Sequence, residues 1–433
     1  MPQTVFVHID GNSFYCNCER LFRPQLRNKP VVVLSNNDGC IVALTSEAKA
    51  VGLKRGMPYF KVSGLIKARG VAVCSSNYEL YQSISGRMQR TIASMLPVLE
   101  SYSIDEIFGD ITGLGEGEPA AQTALVQAIR ARVLKWVGIP TCAGIAPTKT
   151  LAKLCDHYAK KYPAFGGTVN WLELTDACRE RALAKTAAKD VWGVGSRTAQ
   201  KLEAMGVHTA LELARMNAHL VLRRFGVVLA RTHCELNGVS CLPLEPNAAA
   251  RQQIVRTRSF GTASSDINAV ISAVSAHMID AVRALRRQKS AARTVGVLFH
   301  TDPFKEDAPA YGVFESVPLE HACADLVTFT QAAIALVRRF FRAGFLYKKA
   351  GVFLTDLTPF EGALVPETLF DGEALAVLER RERMQESMDE IARRFGSTAL
   401  TTASAHLTQD WRMRRDLLSP CPTTNWNDIL KVS

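Results

Sequence analysis

Three acidic residues stand where short apolar strands end. Asp105 and Glu106 interrupt the stretch from Val98 to Ile111, in which β-branched and aromatic residues alternate with polar ones on both sides. That period-2 pattern predicts two half-buried strands joined by a turn, a β-hairpin carrying paired acids. Neighbouring side chains on a straight strand face opposite sides of the sheet, so both carboxylates can serve one site only at a bend or a strand end. Acids are also common in ordinary solvated turns, and the pair alone decides nothing. A third carboxylate shifts the balance. Residues 4–9 read as an apolar strand that ends on Asp10 and runs into Gly11-Asn12-Ser13-Phe14-Tyr15. Carboxylates on a hairpin and on a strand terminus form an oxygen-only ligand set, which hard cations prefer and which leaves positions open for substrate phosphates. Asp10, Asp105 and Glu106 are therefore the candidate catalytic and metal-binding residues, and three acids suit two Mg2+ ions. Such a pair of ions can activate a hydroxyl nucleophile, neutralise developing charge and hold a leaving pyrophosphate.

Around these acids the sequence resembles a known family. Ile9 through Tyr15, Val31 through Cys40, Ser46-Glu47-Ala48-Lys49, Ser76 through Tyr81 and Tyr102-Ser103-Ile104-Asp105-Glu106 are similar to the Y-family translesion DNA polymerases. The Ser-Asn-Asn-Asp-Gly-Cys run at 35–40 points to the UmuC branch, and the likeness extends in order from residue 4 to about residue 420. The resemblance implies an α/β multidomain fold, a right-hand polymerase with palm, small fingers, helical thumb and α/β little finger, plus a C-terminal tail. It places the palm at 1–10 and 75–167, the fingers at 11–74, the thumb at 168–239, a linker at 240–250, the little finger at 251–355 and a partner-binding tail at 356–433. It implies a low-fidelity, template-directed DNA polymerase for translesion synthesis in the SOS response, acting on primed DNA and dNTPs. No separate exonuclease motif is apparent. Tyr15 takes the place of a steric gate, whose ring clashes with a ribose 2′-hydroxyl; steric conflict rejects a competitor without weakening the correct substrate. Phe14, Tyr15, Lys49 and Lys160 become the nucleotide-binding residues. Phe14 also reads as an ordinary core aromatic. Ser13 and Ser46 depart from the family's other branches, so nucleotide contacts through them are not implied.

The rest of the chain supports a nucleic-acid partner. Among 433 residues, 52 are basic and 41 acidic, a net charge of +11, which suits a polyanion. The length implies two to four domains, and a 47% apolar composition implies folded ones. No run of about 18 apolar residues predicts a membrane helix and the N-terminus lacks a signal-peptide pattern, so the expected location is the cytoplasm. Eleven cysteines without a Cys-x-x-Cys pair argue against a disulfide framework and structural zinc. Cys16 and Cys18 read as buried thiols.

Several stretches carry further expectations. Residues 30–34 predict a buried strand, 45–51 a short helix and 150–160 a helix that ends on Lys160. Gly144 to Lys149 lacks P-loop spacing, although Lys149 and Lys153 remain candidates for holding DNA. Gly193-Val194-Gly195 opening a helix resembles a helix-hairpin-helix turn, with Arg197 and Lys201 beside it. Its glycines let backbone amides approach a phosphate at the positive end of the helix, a contact that fixes position without reading sequence. Two prolines make 240–250 a semi-rigid linker. Beyond it, Arg256 and Arg258 lie on a predicted strand and a helix spans 267–287, followed by strands near 294–300 and 350–354. By resemblance this is a DNA-binding domain. Leu369 and Phe370 stand where UmuC-type proteins carry a sliding-clamp peptide, here without its usual glutamine. A helix is predicted over 373–395, and the segment with Trp411, Arg412, Arg414 and Arg415 resembles the family tail that faces a UmuD′-like dimer or a RecA filament. Two rivals remain: a non-catalytic DNA-binding scaffold that obstructs or recruits replication machinery, and a nucleotide cyclase on a related palm. The intact acids oppose the first, and the DNA-binding apparatus opposes the second.

Overall fold

The computed structural model describes residues 4–247, 249–305, 307–360, 372–396 and 399–429, with backbone alone for 372–378. Leu369 and Phe370, the expected clamp-binding residues, lie outside the described residues. The chain divides into two compact units: Met1–Leu34, Cys40–Ala248 and Leu417–Ser433 form one, and Ser35–Gly39 with Ala249–Asp416 form the other.

In the first unit the chain enters a sheet through β1 (Phe6–Gly11) and leaves it for an insertion containing β2 (Val31–Leu34), β3 (Ile41–Leu44) and β4 (Ala72–Ser75). It returns through β5 (Leu99–Ser101), β6 (Glu106–Asp110), β7 (Thr141–Ala146) and β8 (Thr168–Asn170). The strand order is β5-β6-β1-β7-β8, antiparallel except for the β7–β8 pair, and the insertion makes its own sheet, β3-β2-β4. The expected hairpin is present: β5 and β6 pair antiparallel, Asp105 lies in the turn and Glu106 opens β6. β1 and β7 are buried along nearly their whole length, because helices cover both faces of the sheet. One face packs against the helices Tyr78–Ala93 and Pro119–Val137 through Ile9, Ile84, Met88, Ile129 and Ile145. Across the other lies the helix Lys149–Lys161, which shares a second core with the short helices 176–236 of the expected thumb.

Gly144 sets how closely that helix lies on the sheet. A Cβ on Gly144 would sit 2.0 Å from the carbonyl oxygen of Ala152 and 2.4 Å from the amide nitrogen of Asp156. Only a residue without a side chain permits this approach. Thr148 caps the helix, its hydroxyl accepting from the Leu151 amide at 3.2 Å.

The second unit is an antiparallel sheet in the order β11-β10-β12-β9, formed by β9 (Ile254–Ser264), β10 (Ser290–Thr301), β11 (Gly312–Cys323) and β12 (Tyr347–Pro359). The helices Ile267–Arg287 and Leu326–Phe340 share its core. The first of these matches the range expected from sequence. β11 was not expected; along it only Val313 and Cys323 are buried, so its sequence shows little of the alternation that burial imposes. Two boundaries differ from expectation. The first half of the presumed linker is anchored: Lys149 Nζ donates to the Pro243 carbonyl at 2.7 Å, and the Glu245 amide donates to Glu100 at 2.8 Å. The tail is divided as well. Trp411 is buried in the core of the second unit, whereas the chain from Leu417 onward packs into the first.

Candidate active site

The antiparallel register of β1 and β6 puts Asp10 directly opposite Glu106. The Gly11 amide donates to the Asp105 carbonyl at 2.9 Å, so the turn closes against the end of β1. All three predicted acids thus meet at one end of the sheet. Each carboxylate already has a partner. Asp10 is 2.8 Å from Lys160 Nζ, Glu106 accepts from Lys153 Nζ at 2.9 Å, and Asp105 accepts from the Ser103 hydroxyl at 2.7 Å. Among the described residues, no group of three or more such side chains is gathered closely enough to hold a metal ion as it stands. The donor set itself suits a hard cation: it is oxygen only, and burial pushes the Asp10 carboxyl up to about 7 against the pull of Lys160, with Asp156 and Asp105 adding to the rise. A divalent cation would relieve that cost.

The helix Lys149–Lys161 supplies the counter-charges. Lys160 bridges Asp10 and Asp156, its contact with Asp156 being 2.6 Å. Burial alone would lower its pKa, but Asp156 and Asp10 hold it above the ordinary lysine value. Behind the acids lies His8, fully buried, 3.4 Å from Asp156 and 3.7 Å from Glu106. Burial keeps its pKa below the usual range despite Asp156. Neither His8 nor Asp156 was singled out from sequence. His8 precedes Asp10 by two on the same strand face, and Asp156 precedes Lys160 by one helical turn, so both spacings were visible.

A cavity of about 870 Å3 opens beside the acids, lined among others by Asp10, Asp105, Tyr15, Lys49, Arg55 and Lys160. It lies within the range of ligand pockets and admits a nucleotide. Tyr15 and the two expected phosphate-binding lysines are therefore brought together. Arg55 is a further cation that sequence reading passed over; the adjacent Lys54-Arg55 pair in a loop was the available signal. Phe14 borders the cavity but is 2% exposed and packs with the core, so its ring supports the wall, in keeping with its reading as a core aromatic. Tyr15 stacks on Tyr81 with ring centroids 4.5 Å apart and planes 16° apart.

Two lysines expected to hold DNA are otherwise engaged. Lys149 is buried and paired with Glu100, and Lys153 pairs with Glu106 while lying 4.6 Å over the Tyr102 ring and 5.4 Å over Trp192. Arg197 and Lys201 are exposed on the helix Ser196–Glu203, which has no side-chain cap at its N-terminal Gly195. Gly193 has φ +88°, a backbone shape that favours glycine. Arg256 and Arg258 share the side of β9 that carries buried Ile254, and both depress the pKa of His277 on the neighbouring helix after the effect of its burial. Arg256 is half-buried there and Arg258 exposed, so the strand offers less basic surface than its sequence suggested. Cys16 and Cys18 are fully buried, as expected.

Comparison with known proteins decides the family. Residues 9–157 match the impB/mucB/samB family, and residues 251–364 match its C-terminal domain. The chain is 40% identical to the protein UmuC of Salmonella typhimurium over 99% of its own length and 100% of that protein. It belongs to the UmuC-type Y-family DNA polymerases. It is 39% identical to the protein ImpB of the same organism over 98% of this chain and 99% of that one. Residues 382–432 of this UmuC-type chain match a domain of unknown function. A solved Y-family DNA polymerase chimera shares the fold, with a TM-score of 0.66, 20% identity and coverage of 82% of this chain and 99% of that chain. The UmuC-type polymerase is accordingly a DNA-directed DNA polymerase of the translesion class. No helix among the described residues is long and apolar enough to cross a membrane.

Proposed function

We propose that this polymerase joins dNTPs to a primed template at the site formed by Asp10, Asp105 and Glu106, which would hold two Mg2+ ions. The observation that carries the reading is the meeting of the three acids at one sheet end, beside a nucleotide-sized cavity that Lys49, Arg55 and Lys160 also line. When bound, the ions would supply Lewis-acid activation of the primer hydroxyl and neutralisation of the leaving pyrophosphate. The chain's own residues bind and orient. Lys49, Arg55 and Lys160 attract the triphosphate, and Lys160 exchanges its hold on Asp10 for phosphate oxygens. Tyr15 presents its ring to the sugar as the steric gate. Amides and cations at Gly193, Gly195, Arg197 and Lys201 hold DNA phosphates, with Arg256 and Arg258 contributing from the second unit. The partners that fit the UmuC-type reading are a UmuD′-like dimer, a RecA filament and, through Leu369 and Phe370, a sliding clamp; the cytoplasm is the matching location.

Primer extension across an abasic site, with Mg2+ and with RecA filament and UmuD′ supplied, tests the site. Asp105→Ala/Glu106→Ala should abolish extension while leaving binding to primed DNA intact. Tyr15→Ala should raise ribonucleotide incorporation. Wild type and double mutant equally inert with every partner present would replace this reading with the scaffold.

A further inference from the structure

The segment from Leu417 onward lies within the matched domain of unknown function, yet it is packed into the first unit. It pairs with the end of β4, where the Ser75 amide donates to the Leu417 carbonyl at 2.9 Å and the Leu417 amide donates to the Ser75 hydroxyl at 3.0 Å. Two residues on, Ser419 enters a buried polar cluster. Its hydroxyl donates to Glu19 Oε1 at 3.0 Å, and Asn77 Nδ2 donates to its carbonyl and to its hydroxyl, each at 2.9 Å. The same Glu19 oxygen accepts the Tyr81 phenol at 2.6 Å. Asn77 also begins the helix that carries Tyr81, its side chain accepting from the Leu80 amide. Glu19, Asn77, Ser419 and Tyr81 are each less than a tenth exposed.

This cluster stands directly behind the nucleotide pocket, because the fully buried Tyr81 ring is the surface on which Tyr15 stacks. A buried carboxylate needs several donors to be held in place, and a cluster missing one member leaves the rest free to rearrange. We propose that Ser419 is a positioning residue for nucleotide selection: the C-terminal segment fixes Glu19, Glu19 fixes the Tyr81 ring, and that ring fixes the angle of Tyr15. The inference rests on Tyr15 acting as the steric gate. It gives one stretch of the domain of unknown function a task inside the polymerase site.

The test is single-nucleotide incorporation with the same partners, reading kcat/KM for the matched dNTP and for the corresponding ribonucleotide. Ser419→Ala should lower the dNTP-to-ribonucleotide ratio about threefold to tenfold, the size expected for one buried hydrogen bond. The kcat/KM for dNTP should stay close to wild type, which a general loss of structure would not allow. Tyr81→Phe, which keeps the stacked ring but removes its tie to Glu19, should lower the ratio similarly and decides the matter if Ser419→Ala does not fold. Neither change should have an effect in a Tyr15→Ala background. If Tyr15→Ala lowers the ratio but neither Ser419→Ala nor Tyr81→Phe does, the positioning role is overturned and the gate stands. Equal losses for both nucleotides also overturn it. A ratio unmoved by Tyr15→Ala removes the gate, and this inference with it.

Discussion

Burial pushes the Asp10 carboxyl to about 7 although Lys160 lies 2.8 Å away, and this has a consequence for stability. An unfolded chain would release that proton near pH 3.8, whereas the fold without a cation keeps it to about 7. Between these values the native state holds more protons, so stability falls as pH rises through the window, by a cost on the order of 4 kcal/mol. Asp10→Asn imitates the protonated form. Without divalent cations the variant should be more stable than wild type at pH 8 and similar to it near pH 4, as followed by urea unfolding. Mg2+ should then stabilise wild type at pH 8 and leave the variant almost unchanged, since a ligand stabilises only the state that binds it. Identical pH profiles would mean that Asp10 carries no such burden. The three acids were legible because strand ends and alternation mark them in the sequence. The spacings of Asp156 and His8 were visible but their importance was not, since it comes from the burial of the two against each other where the helix Lys149–Lys161 packs on β1. Lys149 misled for the same reason: a lysine in a helix reads as exposed until Glu100 and Pro243 are found around it.

At the scale of elements, the site depends on one helix lying unusually close to one strand. Lys153, Asp156 and Lys160 reach the acids because Gly144 leaves room for the backbone at Ala152 and Asp156. Gly144→Ala would place a methyl 2.0 Å from a carbonyl oxygen, which only a shift of the helix can relieve. Overpacking of this kind costs about 1–3 kcal/mol or more, and a displacement of about 1 Å can cost a hundredfold in rate. The variant should therefore lose at least tenfold in primer-extension rate with a lowered melting temperature, while Gly195→Ala, with open space at its Cβ, should melt as wild type does. Equal rates for Gly144→Ala and wild type would show that the helix position is not critical. Long periodic helices such as 267–287 were readable because Asp266 caps an apolar face sustained over many turns. β11 was not, since an exposed strand lacks the alternation that burial imposes. Nor could sequence show that the tail is shared between two units, because nothing local in Asp416-Leu417 marks a change of partner.

For the molecule as a whole, a net charge of +11 predicts a polyanion partner, but it does not tell which cations are free to meet one. Structure removes several. Lys149 and Lys153 are committed to acids, and Arg286, in the last turn of the helix Ile267–Arg287, is held by Glu382 and Asp389. Arg197 and Lys201 remain exposed, as does Arg258, while Arg256 is half-buried beside the helix Ile267–Arg287. Counterion release gives each a measurable signature: for every phosphate that the protein no longer neutralises, the slope of log K against log salt becomes shallower by about 0.9. Arg197→Ala/Lys201→Ala should thus lower the slope for primed DNA by about two and weaken binding alike on every sequence. Arg258→Ala should lower it by about one, and Arg256→Ala by distinctly less, because a guanidinium already packed against protein gives up little. Titration of fluorescent primed DNA at several salt concentrations reads all four slopes, wild type included. A full unit of slope removed by Arg256→Ala would mean that this side chain leaves its packed position to reach DNA, and an unchanged slope for the thumb pair would remove the turn at Gly193 from the binding surface.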